Sequence, residues 1–261
     1  AAASAASEES LRKESLRFAS LLKPAGAIAQ ITRVLQNGSV GEKQSALGTL
    51  ANMKDKEAEA LLDQWTDRLV KGQVPAELQL DVLEAAAKRE SPELKAKLQA
   101  FEAKFTKQGE LGAHRLALTG GSIDEGRKIF FERAEAQCAR CHKIEGQGSE
   151  GGMVGPELTK IGATKDRSYL LESIVFPNKH IAEGFQSVLV TTRDGTSFAG
   201  VVQSESDSEL VLNSHEDGIV KIKKSDITAR ERGLSSMPEG LVTLLSRRDL
   251  RDLIEYLASL K

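Results

Sequence analysis

The sequence Cys138-Ala139-Arg140-Cys141-His142 holds the only two cysteines of this 261-residue chain, and a histidine directly follows the second. A C-x-x-C-H segment is typical of covalent c-type haem attachment. Two thiols three residues apart, on one irregular helical turn, can bond to the two vinyl groups of one porphyrin edge. The imidazole that follows then points at the iron as its proximal ligand. The motif therefore predicts one covalent haem c, attached through Cys138 and Cys141, with His142 as an axial ligand.

Two other roles of a cysteine pair fit this sequence less well. A thioredoxin-like redox pair lies between a strand and a helix, whereas here a predicted helix precedes the pair and a glycine-rich loop follows it. A zinc site needs four ligands, and no second cysteine cluster supplies them. We therefore interpret the cysteine pair as a haem attachment site.

Composition and charge describe an ordinary globular chain of one or two domains. Hydrophobic residues make up 40% and charged residues 28% of the sequence, and both values are usual for globular proteins. The net charge of −2 provides no global basic field, so we expect no nucleic-acid partner. The sequence contains no apolar run of about 18 residues, so we expect no membrane span.

The predicted haem also implies a compartment. Covalent attachment requires reduced thiols and a dedicated lyase outside the cytoplasm, so we expect a periplasmic or otherwise exported protein. The opening residues Ala1-Ala2-Ala3-Ser4 have neither the basic start nor the apolar stretch of a signal peptide. We therefore expect that a signal, or a longer N-terminal part, has been removed.

The first part of the chain, residues 1–112, is predicted to be a helical domain. Apolar residues recur at helical spacing from Leu11 to Phe105. The segment Gln44–Ala51 is weakly similar to Gln79–Ala86, and each is followed by a second predicted helix. Stacked helical pairs are typical of α-solenoids. We therefore predict HEAT-like repeats, and a plain helical bundle is the alternative. The expected role of this part is packing, partner docking or spacing.

The second part, residues 113–261, is predicted to fold around the haem. Ser122–Glu125 has the pattern of a capping box, and the helix that it opens carries Phe130 and is expected to run into the cysteine motif. After a glycine-rich turn comes the segment Gly155-Pro156-Glu157-Leu158. Because proline has a fixed φ, the carbonyl of Pro156 can be held toward the imidazole of His142. Such an acceptor fixes the tautomer of a metal-binding histidine.

A strand-rich stretch at about 184–231 is expected to interrupt the helices. Ser187–Thr192 alternates like a strand, the chain turns at Asp194-Gly195, and a second hairpin turns at Asp217-Gly218. Ile227 is expected to begin a last short strand. Four or five short antiparallel strands of this kind predict a small barrel or a curled sheet.

The second part of the chain, residues 113–261, resembles a class I cytochrome c. The resemblance rests on five elements: the opening helix with Gly126 and Phe130, the haem motif at Cys138–His142, the Gly155–Leu158 segment, the loop at Met237-Pro238 and the closing helix around Leu253–Leu257. From about residue 120 the chain is more narrowly similar to the haem-binding domain found in planctomycetes and verrucomicrobia. The helical part resembles the tract that precedes this domain in those proteins.

The resemblance implies a mainly α fold, in which an all-α cytochrome c domain carries a small antiparallel β insertion. It implies a haem pocket supported by Phe130, Gly155, Pro156 and Leu158, and a function in electron transfer. In many relatives a sugar-dehydrogenase-like propeller lies upstream, so the redox partner is expected to be a protein, with a dehydrogenase domain as the candidate. The alternatives are a haem enzyme or gas sensor with a labile or open distal site, and a scaffold in which the helical part recruits partners.

The sixth ligand of the iron is expected to be Met237. His180, which closely follows Pro177, is an alternative, as are Met153 and an open or water-filled site. Met53, in the helical part, is expected to lie in the core, because methionine commonly fills gaps there. No Ser-His-Asp set, carboxylate pair or metal triad in the sequence suggests a separate catalytic centre.

Overall fold

The computed structural model describes residues 8–22, 24–89, 91–146, 155–214 and 217–261. The chain divides into two compact units, Ala1–Ser122 and Ile123–Lys261. The division falls after Ser122 rather than at residue 112, because a 3₁₀ helix at Gly112–Ala117 packs on the helices before it. Among the described residues, no helix is both long and apolar enough to cross a membrane.

The first unit is helical over its described residues. Its helices are α1 (Glu9–Leu22), α2 (Pro24–Asn37), α3 (Val40–Leu50), α4 (Lys56–Val70), α5 (Ala76–Ala87) and α6 (Pro92–Thr106), followed by the 3₁₀ helix. Side chains at the helix starts satisfy the free amides of the first turn. Ser39 forms a capping box with Glu42, and Ser91 accepts a hydrogen bond from the amide of Leu94. Such caps set where a helix begins.

The core of the first unit lies between paired helices. Helix α3 packs against α5, and α4 packs against α5 and α6. Leu47, Leu62 and Leu80 are almost fully buried between them, and Met53 and Trp65 belong to the same core. Burying one large apolar side chain contributes about 1.5–3 kcal/mol, so these leucines stabilise the packing of α3, α4 and α5. Two helical pairs do not define a repeat class, and the HEAT-like assignment stays a prediction.

The second unit is organised by two helices that touch backbone to backbone. Its helices are α7 (Ile123–Glu132), α8 (Cys138–Cys141), α9 (Ile161–Thr164), α10 (Arg167–Val175), α11 (Leu241–Leu244) and α12 (Arg247–Ser259). Helix α7 meets α12 at Gly126, where a β-carbon would lie 1.9 Å from the carbonyl oxygen of Asp252. Only glycine permits so close an approach. Helix α12 begins at Ser246, whose side chain forms a capping box with Asp249.

The helix before the cysteine pair ends earlier than the sequence predicts. We expected a continuous helix into the motif, but α7 ends at Glu132 and the four-residue helix α8 starts only at Cys138. Gln137, between them, has a φ of 48° in the left-handed region. An α-helix of L-residues does not continue through that conformation, so α8 is a separate helix and not a continuation of α7.

The strand-rich stretch forms one antiparallel sheet. Its strands are β1 (Ser187–Thr192), β2 (Ser197–Glu205), β3 (Glu209–Ser214), β4 (Gly218–Lys223) and β5 (Ile227–Arg232). The order β4-β3-β2-β1-β5 leaves β4 and β5 at the edges over the described residues, so the sheet is open rather than a closed barrel. Register shifts in the β1–β5 and β2–β3 pairs bend a sheet locally. The sheet encloses its own small core, with Val190, Leu210 and Leu212 completely buried.

Candidate haem-binding site

One cavity in the second unit brings together the residues that the sequence singles out. Its lining includes Cys138, Cys141, His142, Met237 and His180. Most of the remaining lining is apolar and includes Phe130, Leu158, Ile174, Phe185, Leu241 and Leu257. An apolar cavity with a few polar groups at defined positions is the usual environment of a bound cofactor.

The two cysteines occupy the ends of α8 and are not joined in a disulfide. Burial raises the pKa of the Cys138 thiol to about 11, so this side chain is a neutral thiol at pH 7. Reactive cysteines of redox pairs instead have a lowered pKa. The environment of Cys138 therefore does not favour a thioredoxin-like role.

The imidazole of His142 is held by a backbone carbonyl. Its Nδ1 lies 2.8 Å from the carbonyl oxygen of Pro156, which is the contact that the proline predicts. A carbonyl can only accept a hydrogen bond, so Nδ1 carries the proton and Nε2 keeps a free lone pair. Burial lowers the pKa of His142, against the smaller opposing effect of this hydrogen bond. The ring is therefore neutral and oriented, as a metal-binding histidine must be.

The segment that carries Pro156 is tied to the cysteine turn by its backbone. The amide of Gly155 donates to the carbonyl of Cys141 at 3.0 Å, and the amide of Leu158 donates to the carbonyl of Lys143 at 2.8 Å. These two bonds fix the Pro156 carbonyl relative to the motif. The position of the Pro156 carbonyl is thus set by these backbone hydrogen bonds as well as by the proline ring.

Gly155→Ala is expected to displace the imidazole of His142. A β-carbon at this position would lie 2.7 Å from Cε1 and 2.9 Å from Nδ1 of the ring, so the ring must tilt and weaken its bond to Pro156. Losing the orienting partner of a metal-bound histidine typically costs about 10–100-fold in metal affinity or activity. We expect a shifted midpoint potential in a redox titration, whereas Lys160→Ala, at an exposed position of the same segment, should leave it unchanged. An unaltered potential in Gly155→Ala would contradict this role.

An aromatic cluster lies where α7 meets α12, and one of its rings, that of Phe130, lines the cavity. Phe130 is only 2% exposed, and its ring centre lies 4.9 Å from that of Phe131 and 5.9 Å from that of Tyr256. Tilted and edge-to-face arrangements of this kind are favourable for aromatic rings. Phe130 therefore belongs both to the cavity wall and to the packing of the helix crossing.

Two of the candidates for the sixth ligand line the cavity. Met237 is half-buried in the loop before α11. His180 has a side chain that is 56% exposed, and its Nε2 lies 3.4 Å from the carboxylate of Glu172. Its ring also stacks on Tyr169. Met153 lies outside the described residues.

Asn178 is a residue that the sequence analysis missed. Its side-chain oxygen accepts a hydrogen bond from the amide of Ser235 at 2.7 Å, and its side-chain nitrogen donates to the carboxylate of Glu239. These partners are 57 and 61 positions away along the chain. An asparagine directly after Pro177 indicates only a turn, so no local signal could have revealed the contact with the Met237 loop.

The fold and the site together define a protein built to carry a covalently attached haem, since the apolar cavity, the thiol pair and the oriented neutral imidazole all suit that group. The chain belongs to the cytochrome c family: the family model described as Cytochrome c matches residues 123–261, which is more than half of it. Membership of this family implies covalently bound haem c and a general role in electron transfer. None of the curated proteins compared with the chain matches it.

Proposed function

We propose that this protein is a single-electron carrier with one covalently attached haem c, whose iron is held by His142 and Met237. The observation that carries the proposal is one apolar cavity that joins the cysteine turn, the imidazole bound to Pro156 and the Met237 loop. When bound, the haem supplies one-electron iron chemistry, and two protein ligands leave it no open position for a substrate.

The residues of the chain have three tasks in this proposal. Cys138 and Cys141 provide the covalent attachment. Pro156 keeps the proton of His142 on Nδ1, so that Nε2 is available to the iron without a change of tautomer. The apolar lining excludes water from the haem, and burial of this kind is one of the means by which a protein sets a reduction potential.

Met237 is the better candidate for the sixth ligand. The imidazole of His180 already stacks on Tyr169 and lies 3.4 Å from Glu172, and these contacts and its hydration would be lost on binding iron. A thioether has no proton to release and no strong hydrogen bond to give up. A His/Met pair also gives a higher reduction potential than two nitrogen ligands.

Met237→Ala should change the haem from low-spin to high-spin and should open the iron to carbon monoxide. The small side chain cannot reach the iron, so the sixth position is left to water or to an added ligand. We expect the ferrous wild-type protein to bind carbon monoxide slowly and incompletely at neutral pH, and the variant to bind it rapidly and stoichiometrically. Optical spectra of both oxidation states and a carbon monoxide titration measure the two effects.

His180→Ala is the matched control, because His180 lines the same cavity. We expect it to leave the spin state and the carbon monoxide binding of the wild type unchanged. An unchanged spectrum in Met237→Ala together with an altered one in His180→Ala would assign the sixth position to His180. Rapid stoichiometric binding by the wild-type protein would instead favour a haem enzyme or gas sensor with an open distal site.

We further propose that the electron donor is a dehydrogenase, on the same or a neighbouring chain, in a periplasmic or otherwise exported compartment. The support for this is the similarity of the second unit to the planctomycete and verrucomicrobial haem-binding domain, and the need to attach haem outside the cytoplasm. The first unit suits partner docking or spacing, because it has a helical core and the sequence suggests no catalytic residues in it.

A further inference from the structure

Hydrogen bonds hold the chain on both sides of Met237. Leu234, near the start of the loop, is 73% exposed, and Glu239, on its far side, is exposed as well. Such positions gain little from the hydrophobic effect, which is proportional to the apolar area removed from water. Polar contacts to the rest of the unit therefore position these two parts of the loop.

Asn178 supplies polar contacts on both sides of Met237. Its side-chain oxygen accepts from the amide of Ser235 at 2.7 Å, and its side-chain nitrogen donates to Glu239. Its own carbonyl accepts a hydrogen bond from the guanidinium of Arg232 at 3.2 Å. A single residue thus bridges the end of β5, the start of the loop and its far side.

Strand β1 of the inserted sheet also contacts the chain just before the Met237 loop. The amide of Gly233 donates to the carbonyl of Ser187 at 2.9 Å, and the hydroxyl of Ser187 donates to the carbonyl of Leu234. A β-carbon on Gly233 would lie 2.3 Å from that hydroxyl oxygen, so the two chain segments are in direct contact. Ser187, the first residue of β1, therefore holds the chain by two hydrogen bonds just before the Met237 loop begins.

We propose that Asn178 is a positioning residue for the sixth ligand, and that the five-stranded sheet anchors the start of the Met237 loop, through Ser187 of β1 and through Arg232 of β5, which binds the carbonyl of Asn178. The inference rests on the proposed role of Met237. It assigns the insertion a function within the haem unit, which is to limit how readily the loop opens and the sulfur leaves the iron.

Displacement of the sulfur by added imidazole measures how readily the loop opens. The test uses the full-length haem-loaded ferric protein at neutral pH, with the near-infrared absorption of sulfur-ligated ferric haem as a second signal. In N178A both side-chain bonds to the loop are lost. We expect the apparent affinity for imidazole to rise about tenfold, equivalent to ~1.4 kcal/mol, and the near-infrared absorption to weaken.

A paired exchange separates positioning from general stability. N178D keeps the acceptor for Ser235 but places a carboxylate against Glu239, so its imidazole affinity should also rise. In N178D/E239Q the amide and the carboxylate have changed places, the two bonds can form again, and the affinity should return to that of the wild type. S246A removes the N-cap of α12 away from the loop. It should lower the denaturation midpoint without changing the imidazole affinity.

Each outcome of these experiments bears on a separate part of the proposal. A wild-type ferric protein without the absorption of sulfur-ligated haem would overturn the assignment of Met237 and this inference with it. A sulfur-ligated wild type whose imidazole affinity is the same in N178A would overturn the inference alone. An equal rise in S246A, or no recovery in N178D/E239Q, would show that Asn178 contributes only to general stability and would also overturn it.

Discussion

Gly126→Ala is expected to separate α7 from α12 and to destabilise the haem unit by about 3 kcal/mol or more, at the upper end of the usual cost of overpacking. The added β-carbon would lie 1.9 Å from the carbonyl oxygen of Asp252, 2.6 Å from its carbonyl carbon and 2.7 Å from Cβ of Tyr256. None of these atoms can rotate away, because two belong to the backbone and the third is fixed to it. The helices must therefore move apart, and the packing of Phe130 on Tyr256 is lost with them.

Urea denaturation with two optical signals tests this expectation. Soret absorption reports on the haem unit, and the fluorescence of Trp65, the only tryptophan, reports on the core of the helical unit. We expect the larger shift in the Soret transition. Gly48→Ala is the matched control, because beyond its own stretch of helix nothing lies within 4 Å of a β-carbon there. Replacing a helical glycine by alanine normally stabilises by about 0.5–1 kcal/mol. A Soret transition of Gly126→Ala that coincides with that of the wild type would refute the close crossing.

Replacing both Cys138 and Cys141 by alanine is expected to abolish retention of haem by the denatured protein. The axial bonds that we propose for His142 and Met237 would be reversible and would disappear when the chain unfolds, whereas thioether bonds would persist. The wild-type protein, made with the haem-attachment machinery, should keep its colour on a denaturing gel and show the mass of the polypeptide plus one haem. The double variant should lose the colour and show the mass of the polypeptide alone.

Single variants and a neighbouring substitution complete the experiment. Cys138→Ala and Cys141→Ala each retain one thiol, so each should keep one thioether bond and a shifted haem spectrum. Arg140→Ala changes a residue of the same turn, whose side chain contacts Gln137, and it should keep the haem fully attached. A correctly matured wild-type protein with the mass of the bare polypeptide would rule out covalent attachment.

Local patterns in the sequence predicted much of the haem unit, because the interactions behind them span few residues. The spacing of Cys138 and Cys141 requires only one helical turn. The turn at Asp217-Gly218 is confirmed, with Gly218 at a φ of 72°, since a hairpin is set by the residues at its tip. Ser246 forms a capping box with Asp249, which needs only the next three residues.

Other features of the site depend on residues far apart in the chain. Nothing near Gln137 shows that it takes a left-handed conformation, which separates the cysteine turn from the helix that ends at Glu132. The sequence also left open whether the strands form a small barrel or a curled sheet. The pairing of β5 with β1 at the edge of an open sheet was decided by contacts across the whole insertion.

The sequence by itself therefore determined the turn that carries both thiols and the orientation of the histidine that follows it, because thiol spacing and a proline-fixed carbonyl act over short distances. The tertiary structure alone decided how the part of the cavity wall around Met237 is built. Asn178 meets Ser235 and Glu239 only after the chain has passed through five strands. Hydrogen bonds between such distant groups leave no periodic pattern in the sequence, since their geometry exists only once the sheet has brought the two segments together.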